Sequence, residues 1–157
     1  MPGPSVPLGG LYACLFSRAD GTFHWTLVLP QDATTVHKFH ATNLQGGWRF
    51  ERVPDRLAQS PNACVVVRLG TVAPGRTDEL CARLEAAPMC TPAADGAQQF
   101  TCRIWFRAAV RVLHAQGAVE CPDVDALEKE LRTLAEGRRL AIEQGAPYVI
   151  CDSECSS

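Results

Sequence analysis

Thr22-Phe23-His24-Trp25-Thr26-Leu27-Val28-Leu29 is the stretch that decides the fold. Its large apolar residues recur at every second position, so Phe23, Trp25, Leu27 and Leu29 fall on one face of an extended chain and His24, Thr26 and Val28 on the other. The reading is a strand with a buried aromatic face and a histidine on its reverse. Asp20-Gly21 just before it is a strong turn signal, and residues 11–18 read as the strand on the far side of that turn. Moving outward, residues 36–43 read as a third strand. Residues 48–53, after Gln45-Gly46-Gly47, read as a fourth in a meander of short antiparallel strands. Residues 63–69 are apolar at nearly every position, as an interior strand buried on both faces would be.

From residue 75 the period becomes helical. Residues 78–86 carry Leu80, Cys81 and Leu84, with Pro88 ending the helix, and small and polar residues 91–99 form a loop. Residues 102–116 predict a strong helix with Thr101 available as N-cap and Gly117 as its stop. Cys102, Trp105, Phe106, Ala109 and Leu113 share one face of it. Residues 124–144 predict a further long helix with Leu127, Leu131, Leu134 and Ile142 inward. Charges such as Glu128 and Arg132 lie outside at i,i+4. Strands followed by helices mean α+β, here an antiparallel sheet of about five strands packed against helices. Residues 1–10, rich in Pro and Gly, read as a flexible arm, residues 11–150 as a single domain and residues 151–157 as a tail.

The 157 residues are 46% apolar and 20% charged, with three Trp, six Phe and two Tyr, which describes a packed globule of one domain. The net charge is −2 and no basic run is present, so nucleic acid is not an expected partner. No apolar stretch approaches the roughly 18 residues of a membrane span. The first ten residues have neither the basic nor the apolar region of a secretory signal, so the expected address is cytoplasmic. Eight cysteines occur, and in a reducing compartment most of them read as small core hydrophobes. Cys151 and Cys155 are the closest approach to zinc spacing and have no second ligand pair, so neither a metal nor another cofactor is expected. Whether these two pair with each other is left open.

Cys102 opens a helix, where free backbone N–H groups and the helix dipole favour a thiolate. A thiolate nucleophile needs a nearby imidazole, and that imidazole needs a polar group to orient it. His24 lies mid-strand and His40 on the next strand, so pairing of the two strands stands their side chains side by side. His37 falls out of phase with His40 and faces the other way. His114 lies about 18 Å from Cys102 along the same helix, too far to act. The plain alternatives are a buried apolar thiol for Cys102 and strand histidines satisfied by carbonyls for His24 and His40. Trp25, Trp48 and Trp105 read as core anchors.

Taken together, His24-Trp25 in an apolar strand, His40-Ala41 in the next, and Thr101-Cys102-Arg103-Ile104-Trp105 opening a helix resemble the circularly permuted papain-like thiol enzymes. That group includes the lecithin:retinol acyltransferase-like and NlpC-type enzymes, and the layout is also similar to uncharacterised fungal proteins. The resemblance covers residues 11–116 and departs from the group's pattern at Thr101, where Asn usually precedes the cysteine. It implies a permuted papain-like fold with Cys102 as nucleophile, His24 as general base and acid, and His40 as the orienting group. The implied reaction is acyl transfer from a small-molecule or peptide donor through a thioester, with the donor and the oligomeric state left open. Two other expectations stand beside it: a non-catalytic binding or interaction module of the same fold, and an isopeptidase acting on a protein partner through the same three residues.

Overall fold

The computed structural model describes residues 2–157. Strands β1 (Gly10–Ser17), β2 (Phe23–Pro30), β3 (Val36–Thr42), β4 (Arg49–Asp55) and β5 (Ala63–Thr71) come first. Helices α1 (Thr77–Glu85), α2 (Cys102–Ala115) and α3 (Val124–Glu143) follow, and a last short strand, β6 (Val149–Asp152), ends the order. The architecture is α+β, with one sheet in the order β4-β3-β2-β1-β5-β6.

The sheet has six strands and is mixed, where an antiparallel sheet of about five was expected. β6 pairs parallel to β5, from Val65 opposite Val149 to Arg68 opposite Asp152. A parallel neighbour requires a crossover, and the three helices between β5 and β6 provide it. With only four residues, β6 carries too short an alternation to be recognised, and the expected boundary between domain and tail at residues 150 and 151 falls inside it. Beyond it, Ser156 is buried with its hydroxyl donating to the Leu69 carbonyl at 2.7 Å.

Each face of the sheet has its own cover. Leu11, Leu15, Trp25, Leu27, Phe39 and Val65 meet Trp105, Phe106, Leu113, Leu127 and Leu131 of α2 and α3 on the first face. The second face carries Tyr12, Cys14, Phe16, Val28 and Val66, packed with Val6, Leu57 and Tyr148. Val6 belongs to the stretch expected to be a flexible arm. That stretch is anchored: Gly3 N–H donates to Ala58 O, Ser5 Oγ to Ala33 O, and the Tyr148 hydroxyl to Pro4 O.

One irregularity positions the site. The β2–β3 ladder joins Leu27–Pro30 to Val36–Phe39 and goes no further, whereas β1 pairs with β2 down to Ser17 opposite Phe23. The half of β2 that holds Phe23 and His24 therefore has a β1 neighbour on one side and an unladdered edge toward β3 on the other.

Candidate active site

Cys102 is the first residue of α2 and is only 2% exposed. Its helix packs on the first face of the sheet, while alternation along β2 and β3 puts His24 and His40 on the second. A thiol and an imidazole on opposite faces of a closed sheet could not meet. The edge left open between β2 and β3 resolves this, because the Cys102 thiol sits there, 4.0 Å from the Phe23 carbonyl oxygen. Thr101, expected to cap the helix, has extended backbone and makes no side-chain capping bond. The first amides of α2 thus keep their free donors beside the thiol.

His24 and His40 do stand together, Nε2 of the first 2.6 Å from Nδ1 of the second, with ring centroids 4.9 Å apart. Two further groups close the chain at its ends. Arg18 Nη2 lies 2.9 Å from His24 Nδ1, and His40 Nε2 lies 3.1 Å from Glu51 Oε1. Arginine can only donate and a carboxylate can only accept, so the direction of every bond between them follows. Arg18 donates to His24 Nδ1, His24 Nε2–H donates to His40 Nδ1, and His40 Nε2–H donates to Glu51. Both rings are neutral in this arrangement, and both carry the proton on Nε2. The same Arg18 nitrogen lies 3.8 Å from Cys102 Sγ. The His24 lone pair and the thiol therefore share one side of one guanidinium.

The electrostatics agree with neutral rings. Burial, then His40, Arg18 and Lys38, pull the His24 imidazole down from its ordinary 6.5 to about 3. His40 is lowered too, burial outweighing the Glu51 bond that raises it. Glu51 is held from the other side by Arg49 at 2.9 Å. Lys38, on the same face, is bound to Asp55 at 3.0 Å and lies over the Phe16 ring.

A second charged cluster fixes α2. Asp95, in a short helical turn of the loop before α2, has a side chain with 0% exposure. It accepts from Arg107 Nε at 2.9 Å and from both terminal nitrogens of Arg111 at 2.8 and 2.7 Å. Arg107 also reaches Asp125 and Glu128 on α3, and Arg103 reaches Glu128 as well. The loop leading into Cys102 is thereby clamped to α2 and α3. The face of α3 expected to be simply solvated supplies half of the clamp. Two residues before Cys102 in the chain, Phe100 packs edge-on against Trp48 with centroids 5.7 Å apart.

All three expected site residues are brought to one place, Cys102 through Arg18 rather than by direct contact with the ring. His37 and His114 lie outside the chain of bonds. His114 Nδ1 accepts from the Cys121 N–H at 3.1 Å. Arg18 and Glu51 are the members that sequence reasoning missed. Among the described residues no three His, Cys, Asp or Glu side chains are grouped to hold a metal ion, and no helix is long and apolar enough to cross a membrane. A surface cavity of about 320 Å³ is lined by Thr71, Arg76, Leu80 and Gln116 and contains none of the histidine chain.

Fold and site together define an α+β protein with one mixed sheet, in which a histidine pair and a buried thiol are joined through Arg18 beside a gap between strands. Residues 11–120 match DUF6540, a family of unknown function, and the chain belongs to that family. The matched span contains Arg18, His24, His40, Glu51 and Cys102 and stops before α3 and β6. No curated protein and no solved structure matches the chain.

Proposed function

We propose that the chain is a thiol hydrolase or acyltransferase of circularly permuted papain-like type, working through Cys102, His24 and His40. The observation that carries this reading is the polarity of the hydrogen-bond chain. With Arg18 at one end and Glu51 at the other, the one imidazole lone pair not engaged by another ring is His24 Nδ1, which accepts from the same Arg18 nitrogen that lies near Cys102 Sγ.

In the first half-reaction the Cys102 thiol gives its proton to His24 Nδ1 and sulfur attacks the acyl carbonyl carbon. The imidazolium that forms keeps its Nε2–H on His40, and His40 keeps its own on Glu51, so the new positive charge faces a carboxylate through one ring. The uncapped amides at the start of α2 are placed to donate to the oxyanion. The bond to the leaving group then breaks, the leaving group takes the proton from Nδ1, and a Cys102 thioester remains. Water, or an amine or hydroxyl acceptor, gives its proton to Nδ1 and attacks the thioester. That proton returns to sulfur as the acyl group departs.

The test is to incubate the protein with activated esters and thioesters and to measure intact mass. The expected result is an added acyl mass that maps to Cys102 and is absent from Cys102→Ala and His24→Gln. A protein that gains no acyl mass from any donor, or gains it equally after His24→Gln, contradicts the reading and leaves the binding-module alternative.

A further inference from the structure

Arg18 occupies the very lone pair that the chemistry needs. Its Nη2 donates to His24 Nδ1 at 2.9 Å and lies 3.8 Å from Cys102 Sγ, so one nitrogen touches both base and nucleophile. Thiol-to-imidazole proton transfer requires the guanidinium to leave that position, and an imidazolium at His24 would in any case repel it. Arg18 follows the end of β1, is exposed, and makes these two contacts with its side chain. Its natural competing partner is an anion, because a carboxylate takes a guanidinium in a forked, charge-assisted pair stronger than a bond to a neutral ring.

We propose that Arg18 selects acyl donors that carry a carboxylate close to the reacting carbon, and that binding this carboxylate takes Arg18 off His24 Nδ1 and releases the base to Cys102. The assignment rests on the thiol reading above and adds the substrate class to it. Specificity and activation become one event. A neutral donor leaves Arg18 on the imidazole, whereas an anionic donor supplies a better partner within 4 Å of the sulfur. The carboxylate must lie within a few bonds of the attacked carbon, since one nitrogen of Arg18 touches both catalytic groups. The pull of Arg18 on His24, second only to burial and His40 in holding that ring neutral, is lifted by the same displacement.

Iodoacetate and iodoacetamide differ in the required feature and almost nothing else, and the exposed Cys90 serves as a reference thiol in the same molecule. Site-resolved labelling is measured for the wild type, Arg18→Ala and Arg18→Lys, with folding checked by circular dichroism. In the wild type the iodoacetate-to-iodoacetamide rate ratio at Cys102 is expected to exceed that at Cys90 by about tenfold, the scale of one charge-assisted hydrogen bond. Arg18→Ala is expected to make the two rates cross at Cys102: iodoacetate slows and iodoacetamide speeds up. Arg18→Lys keeps part of the preference. A ratio at Cys102 that Arg18→Ala leaves unchanged, or a fall with both reagents together, overturns the assignment while His24-dependent labelling of Cys102 leaves the thiol reading standing. A Cys102 silent to both reagents in all three proteins overturns the thiol reading and this assignment with it.

Discussion

Two polar networks meet α2, and they are built on opposite plans. The Asp95 cluster pairs every charge it buries: one carboxylate with no exposed surface takes Arg107 and Arg111, and Arg107 takes two more acids on α3. Asp95 is held in its charged form, down to about 2, by Arg111 and Arg107 against the burial that raises it. The histidine chain places charge only at its ends, Arg18 and Glu51, with two neutral rings between them. A network of permanent ions holds structure because nothing in it gains by changing state. A neutral chain with a donor at one end and an acceptor at the other can pass a charge along itself at little structural cost.

The contrast is broken if a substitution in one network produces the effect assigned to the other. The largest effect is expected in the histidine chain: His24→Gln lowers acyl transfer to Cys102 by at least about 100-fold, the usual worth of a general base, with unfolding free energy nearly unchanged. Next comes Asp95→Ala, which strands Arg111 and takes one of three acids from Arg107. A loss of about 3 kcal/mol in denaturant unfolding is expected, the low end for breaking a buried pair, because Arg107 keeps Asp125 and Glu128. Labelling of Cys102 per folded molecule should hardly move. Glu51→Gln keeps an acceptor for His40 but removes the charge that faces the imidazolium, and a loss of about tenfold in acyl transfer is expected.

The two networks also separate in pH. His24 binds its proton near 6.5 when unfolded and only near 3 when folded, so its contribution to stability is complete above 6.5 and falls as pH drops from 6.5 toward 3. Asp95 contributes above its ordinary 3.8, and that contribution is lost as pH falls through about 2. Denaturant midpoints between pH 7 and 3 should therefore decline in the wild type and decline less in His24→Gln. A wild-type profile flat from 7 to 4 contradicts the buried neutral imidazole.

Much of the site was legible in the chain. The alternation of residues 22–29 put His24 on the reverse of an aromatic face, the spacing of the next strand put His40 beside it, and the helix start put Cys102 on a dipole. Other parts were hidden for physical reasons. Arg18 lies one residue beyond β1 and 84 residues from Cys102, and a charged residue beside an Asp-Gly turn has every mark of solvated surface. Glu51 meets His40 only through the β3–β4 register, which depends on how many residues the 43–48 turn takes up. Asp95 sat in a loop of small and polar residues, where burial of a carboxylate is justified only by arginines a helix turn apart on α2. The gap between β2 and β3 has no local signature at all, because it is the end of a ladder rather than a kind of residue.

The central claim is that Cys102 and His24 act as a pair across that gap. It is tested most directly by site-resolved labelling with iodoacetate from pH 5 to 9, with Cys90 as internal reference, on the wild type beside His24→Gln. Cys102 should label ahead of Cys90 below pH 8 in the wild type and lose that lead when His24 is replaced. A Cys102 that stays unlabelled while the protein is folded, or that keeps its lead without His24, contradicts the account.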